Sequence, residues 1–267
     1  MSLVSALFLA FVAAVLLLYY VLPKSVRLWV VLAASLAFAG FLGFYTLLFV
    51  LVSGVLCYVG GLLAGPSKSN ALRNVATVIT VVINIALLCC IKYYNVLGLA
   101  ADRLNLLFGA TETSNTFFLY AVPVGMSFYV LQTSGYILDC RWEKIAPEKN
   151  FFKVLLFSTY FPQLMSGPMN TYSALSAEFE KAKDVKFSIQ RLTDGAVRVA
   201  YGFFKKLVIA DRILIVIKAM LGDTATYNGV YVLLLILLYS VEIYADFTGG
   251  IDITIGIAEM MGIRLKE

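Results

Sequence analysis

Apolar runs separated by short polar turns set the rhythm of this chain. Residues 3–22 are apolar for about the 20 residues that a helix needs to cross a bilayer core. Residues 28–64 are also apolar but too long for one crossing. Gly40 and Gly43 mark a break there and predict a short hairpin. The polar stretch GPSKSNALRN (65–74) predicts a turn, and residues 75–91 predict a further span. Residues 95–116, with Asp102 and Glu112, predict a loop or a short interfacial helix. Residues 117–138 predict a return across the membrane, with a bend at Pro123 and Gly125. Residues 151–168 (FFKVLLFSTYFPQLMSGP) are apolar but interrupted by Pro162, Gly167 and Pro168, which predicts a broken or re-entrant element. Residues 171–198 are polar and basic. Residues 199–220 predict a helix with Lys205, Lys206 and Arg212 set in apolar sequence, and 229–245 predict the last clear span. No repeat of fixed period and no low-complexity tract is present.

Composition agrees with the pattern. The chain is 61% hydrophobic and 14% charged, against about 25% charged in a soluble domain. Its mean hydropathy is +0.88. The expected fold is therefore an all-α polytopic membrane protein, a single domain over 1–267, with roughly seven to eight membrane-embedded helices including broken ones. The net charge of +5 is not a nucleic-acid footprint, because Lys and Arg fall mostly between apolar spans. No basic residue precedes the first span, and Lys24 and Arg27 follow it. That order inverts a cleavable signal peptide. It places the N-terminus outside and the 23–27, 65–74 and 140–150 loops in the cytoplasm. Cys57, Cys89, Cys90 and Cys140 show no metal or redox spacing and read as packed hydrophobic residues. Histidine is absent, so a Ser-His-Asp triad, a His zinc site and His-ligated haem are excluded within this chain, and no metal site is expected.

Residues 241–258 (VEIYADFTGGIDITIGIA) carry Glu242, Asp246 and Asp252 directly after an apolar run. A carboxylate at membrane depth costs about 2.5–3.5 kcal/mol on insertion scales and faces a protein interior or a wet cavity. The Gly249–Gly250 pair permits either a close helix approach or a bend. Asp246 and Asp252 could bind a cation, relay protons or orient a catalytic group; they could equally be structural. Tyr129, Gln132, Thr133 and Tyr136 recur at helical spacing and form one polar face, for interhelical bonding or for lining a pathway. Lys205 and Lys206 either snorkel to the interface or form a basic rim that attracts an anionic donor. Asp194 and Arg198 form an i,i+4 pair that supports their helix.

Four segments, taken in order, resemble the membrane-bound O-acyltransferase family in its bacterial, alginate O-acetyltransferase-like branch. They are PVGMSFYVLQTSGYILDCRWEKIAPEKNF (123–151), FPQLMSGPMNTY (161–172), GFFKKLVIADRI (202–213) and YSVEIYADFTGGIDITIGIAEMMGIRLKE (239–267). LAASLAFAGF and KYYN add to the resemblance. Glu242 stands where glutamine is usual, and Thr248–Gly249–Gly250 where serine–glycine–tyrosine is common.

The resemblance implies acyl transfer across a bacterial plasma membrane. The co-substrate would be an acyl thioester of the acetyl-CoA type, with no bound cofactor. The acceptor would be hydroxyls of an extracellular or cell-wall polysaccharide, reached with an extracytoplasmic SGNH/esterase-like partner. A funnel through the protein would be lined or braced by Tyr129, Gln132, Tyr136, Tyr244, Asp246 and Asp252, with Lys205 and Lys206 on the donor side and membrane lipid around it. The family's catalytic histidine, a general base or proton-transfer group, matches no residue here. The chain is thus expected to be the N-terminal part of a longer protein and to be inactive alone. The competing readings are a secondary transporter, which also uses broken helices and intramembrane carboxylates, and a non-catalytic membrane scaffold.

Overall fold

A computed structural model describes residues 4–66, 69–107, 126–223 and 226–266. Every regular element among them is helical. In chain order they are α1 (Ala6–Val21), a 3₁₀ turn (Lys24–Val26), α2 (Arg27–Leu42), α3 (Phe44–Ala64), α4 (Asn70–Leu107), α5 (Met126–Arg141), α6 (Phe151–Thr159), α7 (Phe161–Met165), α8 (Tyr172–Asp184), α9 (Ile189–Phe203), a π-helical segment (Phe204–Ala210), α10 (Asp211–Gly222) and α11 (Val230–Met260). Four stretches are long and apolar enough to cross a membrane: Lys24–Leu42, Phe44–Ala64, Asn70–Cys90 and Val230–Met260. α1 is apolar but shorter. This is an all-α polytopic membrane protein. Outward-facing apolar residues such as Leu17, Val78 and Leu237 suit a hydrocarbon surround.

Several expectations change in the structure. The hairpin break falls at Gly43, whose φ of +145° favours glycine. α4 continues without interruption to Leu107, so of the two forms expected after residue 95 the helix is the one present over 95–107, continuous with the span before it. Residues 108–125, with the expected bend at Pro123 and Gly125, lie outside the described residues. The helix expected over 199–220 begins at Ile189 and contains a π-helical turn. α11 runs past the expected end at 245 to Met260, and the glycine pair does not interrupt it.

The chain forms two compact units, residues 1–41 with 159–267, and residues 42–158. In the second unit, α3, α4, α5 and α6 pack through buried polar contacts. Ser53 Oγ donates to Asn84 Oδ1 at 2.6 Å between α3 and α4. Arg73 is buried and gathers three chain ends. Its Nε donates to Ala64 O at 2.9 Å, its Nη2 to Arg141 O at 3.0 Å, and its Nη1 pairs with Glu143 at 2.8 Å.

In the first unit, Phe8, Phe11, Phe38 and Phe161 form an aromatic cluster between α1, α2 and α7. The expected broken element is present: α6 ends at Thr159, Tyr160 leaves the helix, and α7 is one short turn. Its freed backbone groups are met by side chains, as burial requires. Phe161 N–H donates to Ser35 Oγ at 3.1 Å. Gln163 Nε2 donates to Pro168 O at 2.9 Å. The fully buried Thr254 of α11 donates to Pro162 O at 2.7 Å, with Ser166 O also in reach of its hydroxyl. The interruption read from Pro162 is thus closed by protein groups.

Candidate functional site

The most polar part of the first unit lies between α9, the π segment after it, and α11. The helices run antiparallel and meet at two glycine crossings. A Cβ on Gly202 would lie 2.6 Å from the carbonyl oxygen of Gly249, and one on Gly195 would lie 2.6 Å from that of Gly256. Each pair is two helical turns apart, so the same face of each helix makes both contacts. Small residues of this kind let membrane helices approach until backbone touches backbone. Here the glycine pair serves close approach.

The close approach presses charged side chains together. Asp252 lies between the two crossings. Its Oδ2 accepts from Lys205 Nζ at 2.6 Å and its Oδ1 from Arg198 Nε at 3.3 Å. Lys205 also rests over the ring of Tyr201, 4.5 Å from the centroid. One turn and a half nearer the start of α11, Asp246 accepts from Lys206 Nζ. Glu242, one turn earlier again, shares the field of Lys206 with Asp246 and Asp211. The π segment explains how two consecutive lysines serve one neighbouring helix. Its wider turn, closed by the Asp211 N–H donating to Lys206 O, turns less per residue than an α-helix and keeps both side chains on the α11 side.

The two aspartates differ in access. The Asp252 side chain is 13% exposed and that of Asp246 is 45% exposed. Asp252 is held by two cations and joins the helices, so any further role for it requires one of those contacts to open. Asp246 keeps an open flank from which a carboxylate could orient a substrate or a catalytic group. Lys205 and Lys206 are engaged by these carboxylates. A donor-attracting role for either requires its pair to open. Of the expected Asp194–Arg198 pair, Arg198 reaches across to Asp252 of α11, and Asp194 accepts from Gln190 Nε2 at 2.9 Å on its own helix.

Tyr244 stands apart from this ladder and is 68% exposed. Two residues from Asp246 on the same helix, it faces away, as i,i+2 positions do. The stripe on α5 belongs to the second unit. Tyr129 is buried and donates to Val50 O at 2.9 Å. Tyr136 is buried and accepts from Glu148 N–H at 3.0 Å. Thr133 bonds back to Tyr129 O at 3.1 Å. Gln132 is half-buried on the same helix. The hydroxyls of this stripe therefore join α5 to α3 and to the strap before α6. Sequence reading missed the Gly195–Gly256 and Gly202–Gly249 contacts and the Thr254 bond. The matched seven-residue glycine spacings in the two segments were the available signal for the first.

Comparison with known proteins gives this arrangement a family. No family model matches the chain. The probable alginate O-acetylase AlgI of Pseudomonas syringae pv. tomato is 31% identical over 186 residues, covering 67% of this chain and 34% of that protein. The probable alginate O-acetylase AlgI of Azotobacter vinelandii is 29% identical over 260 residues, covering 94% of this chain and 49% of that protein. The peptidoglycan O-acetyltransferase of Helicobacter pylori is 25% identical over 268 residues, covering 91% of this chain and 49% of that protein. The chain spans half or less of the length of these relatives. With similarity to the first over two thirds of it and to the other two over more than nine tenths, the chain belongs to the membrane-bound O-acyltransferase family, in its alginate O-acetylase-like branch.

Proposed function

We propose that this chain forms part of an enzyme that transfers a short acyl group, acetyl foremost, to hydroxyls of an extracellular or cell-wall polysaccharide. The observation that carries the reading is similarity over 94% of the chain to an alginate O-acetylase and over 91% to a peptidoglycan O-acetyltransferase. These relatives are named for different polymers and one reaction type, so the reaction is the shared property. The donor in this reading is an acyl thioester of the acetyl-CoA type on the cytoplasmic side. The acceptor is approached from outside with an esterase-like partner, and the site of action is a bacterial plasma membrane.

The chemistry divides between this chain and a base it does not contain. With no histidine among its 267 residues, the chain alone transfers no acyl group in this reading. Its own contribution is scaffold and field. The glycine crossings and Asp252 fix α9 against α11, and Asp246 presents a carboxylate at the open flank of the ladder.

The test is deletion of the coding region in its bacterium, followed by alkaline release and mass spectrometry of ester-linked acyl groups from purified envelope polymers. Loss of polymer-bound acetate, restored by the wild-type gene, supports the reading. An unchanged acyl content in every polymer would overturn it.

A further inference from the structure

α11 is the least covered of the membrane-length stretches. Only 6% of its apolar part is buried, against 22% to 44% in the other three. Val230, Tyr231, Val232, Leu233 and Leu234 are all exposed, and five successive positions go round the whole circumference of a helix. α10 packs on α11, with its Ile217 and Met220 buried. Hydrocarbon alone would suit the rest of this surface if it were apolar throughout.

Two carboxylates make it otherwise. At about 1.5 Å per residue, Glu242 lies about 18 Å from the nearer end of α11 and Asp211 about 16 Å from the end of α10. α9, the π segment and α10 follow one another without a gap, so the other end of that rod is farther still. A short acidic side chain bridges neither distance to water. Neither carboxylate makes an ion pair or a side-chain hydrogen bond among the described residues. The charges that act on Glu242 are those of Asp246, Lys206 and Asp211. Lys206 is the one cation among these, and its ammonium is already hydrogen-bonded to Asp246. Three carboxylates therefore share one ammonium. Arg212, next to Asp211, is exposed and is not among the charges that act on Glu242.

A carboxylate so placed in a membrane protein faces protein or a wet cavity, not lipid. A second copy docked through the same face would bring two acidic clusters together, like charge against like. The complement is a helix with a cation at the matching height. The Azotobacter and Helicobacter relatives are matched over 49% of their length, so each carries about as much polypeptide again outside the matched stretch.

We propose that the exposed face of α10 and α11 around Asp211 and Glu242 is the seat of a further membrane helix, one that lies outside these 267 residues in the same polypeptide and presents a lysine or arginine to the carboxylates. The proposal rests on the acyl-transfer reading, which already places the base outside this chain.

The test is photo-crosslinking in native membranes. Tyr239 is 51% exposed and one turn from Glu242. It is replaced by p-benzoylphenylalanine in the chromosomal gene, and adducts are identified by peptide mass spectrometry. The expected adduct joins position 239 to an apolar, membrane-length peptide of the same polypeptide outside residues 1–267, with a lysine or arginine in its span, and leaves the protein at monomer mass. Glu242→Gln is expected to lower its yield about threefold, the size of an average polar contact between membrane helices. Adducts to lipid alone overturn the proposal. So do adducts to residues 42–158, to a second copy or to a separately encoded protein. A crosslinked helix without lysine or arginine, or a yield unchanged by Glu242→Gln, overturns the charge pairing. The readout is contact and not turnover. Unchanged polymer acetate after gene deletion, with the adduct present, fails the acyl-transfer reading alone; lost acetate with lipid adducts alone fails this one.

Discussion

Asp246 and Asp252 sit six residues apart on one helix, yet their surroundings assign them different work. Asp252 is enclosed and faces two cations, so Asp252→Asn leaves Arg198 and Lys205 without their shared counter-charge. Removing one partner of an enclosed, hydrogen-bonded charge cluster costs on the order of 2–4 kcal/mol. Asp246 keeps nearly half of its surface, and exposed pairs contribute about 0–1 kcal/mol. Thermal denaturation in detergent should therefore show a clear loss for Asp252→Asn and little change for Asp246→Asn. If the whole protein carries the proposed acyl transfer, the order should reverse for activity per folded molecule: Asp246→Asn should lose on the order of 10–100-fold, as positioning groups do at other sites, and more than Glu242→Gln. Wild-type turnover in Asp246→Asn would remove Asp246 from the site. Glu178 gives a pH test outside the spans. Partial burial pushes its pKa up, but the hydrogen bonds from Lys181 and the Arg264 N–H and the charges of both side chains together bring it below 4.5. The folded state thus prefers the ionised form. That stabilisation is fully present above pH 4.5 and is lost as the pH falls through the lowered folded value. Melting curves of wild type and Glu178→Gln should differ at neutral pH and converge as the pH falls through that lowered value. A constant difference across that range would exclude the proposed linkage.

At the scale of elements, glycines carry the sharpest expectations. Gly202→Ala and Gly195→Ala put a methyl 2.6 Å from a carbonyl oxygen of α11, and the atom in the way is backbone. Overpacking of this kind costs about 1–3 kcal/mol. Gly135 on α5 has nothing within 4 Å of its Cβ position among the described residues. There alanine should raise stability by up to about 1 kcal/mol through helix propensity. Opposite signs for Gly202→Ala and Gly135→Ala in the same unfolding assay would support the crossing; equal signs would count against it. These elements also show what the sequence could disclose. Apolar run length located α2, α3, the start of α4 and most of α11, because a bilayer imposes length whatever the neighbours are. Pro162 disclosed the break, because a missing N–H is local chemistry. The continuation of α11 through Gly249 and Gly250 was not legible. Glycine propensity argues against a continuous helix, and the backbone of α9 packed against Gly249 is a partner that only the folded chain supplies. The partner of Asp252 was equally hidden. Arg198 lies 54 residues from Asp252, and sequence spacing pairs Arg198 with Asp194 on its own helix.

For the whole molecule, the charge rule makes a claim that the contacts allow to be tested as a set. It places the 23–27, 65–74 and 140–150 loops on one side, and residues 171–198 on that side or at its interface. Within the first unit, Lys24 Nζ pairs with Asp184 at 3.0 Å and Arg27 Nη1 donates to Lys183 O at 3.1 Å, so the 23–27 loop and residues 171–198 share one end. Within the second unit, Arg73 binds the end of α3 and the end of α5 together, so the other two also share one end. Each association makes sense of a buried or half-buried basic group that would otherwise lack carbonyl partners. Neither says which side of the membrane that end faces; the excess of Lys and Arg there argues for the cytoplasm. The expected topology is therefore an outside N-terminus with all four segments inside. Single cysteines at Ser2, Ser69 and Ser173, in a background with Cys57, Cys89, Cys90 and Cys140 replaced by alanine, distinguish the cases. In intact cells an impermeant maleimide should label position 2 and spare 69 and 173, and permeabilisation should expose both. Labelling of 69 and 173 together, with 2 spared, would invert the whole molecule and place the ladder's open flank against the wrong substrate. Labelling of 69 without 173 would mean that the charge rule fails for the 65–74 loop, and the acyl-transfer reading would then need a different route from donor to acceptor.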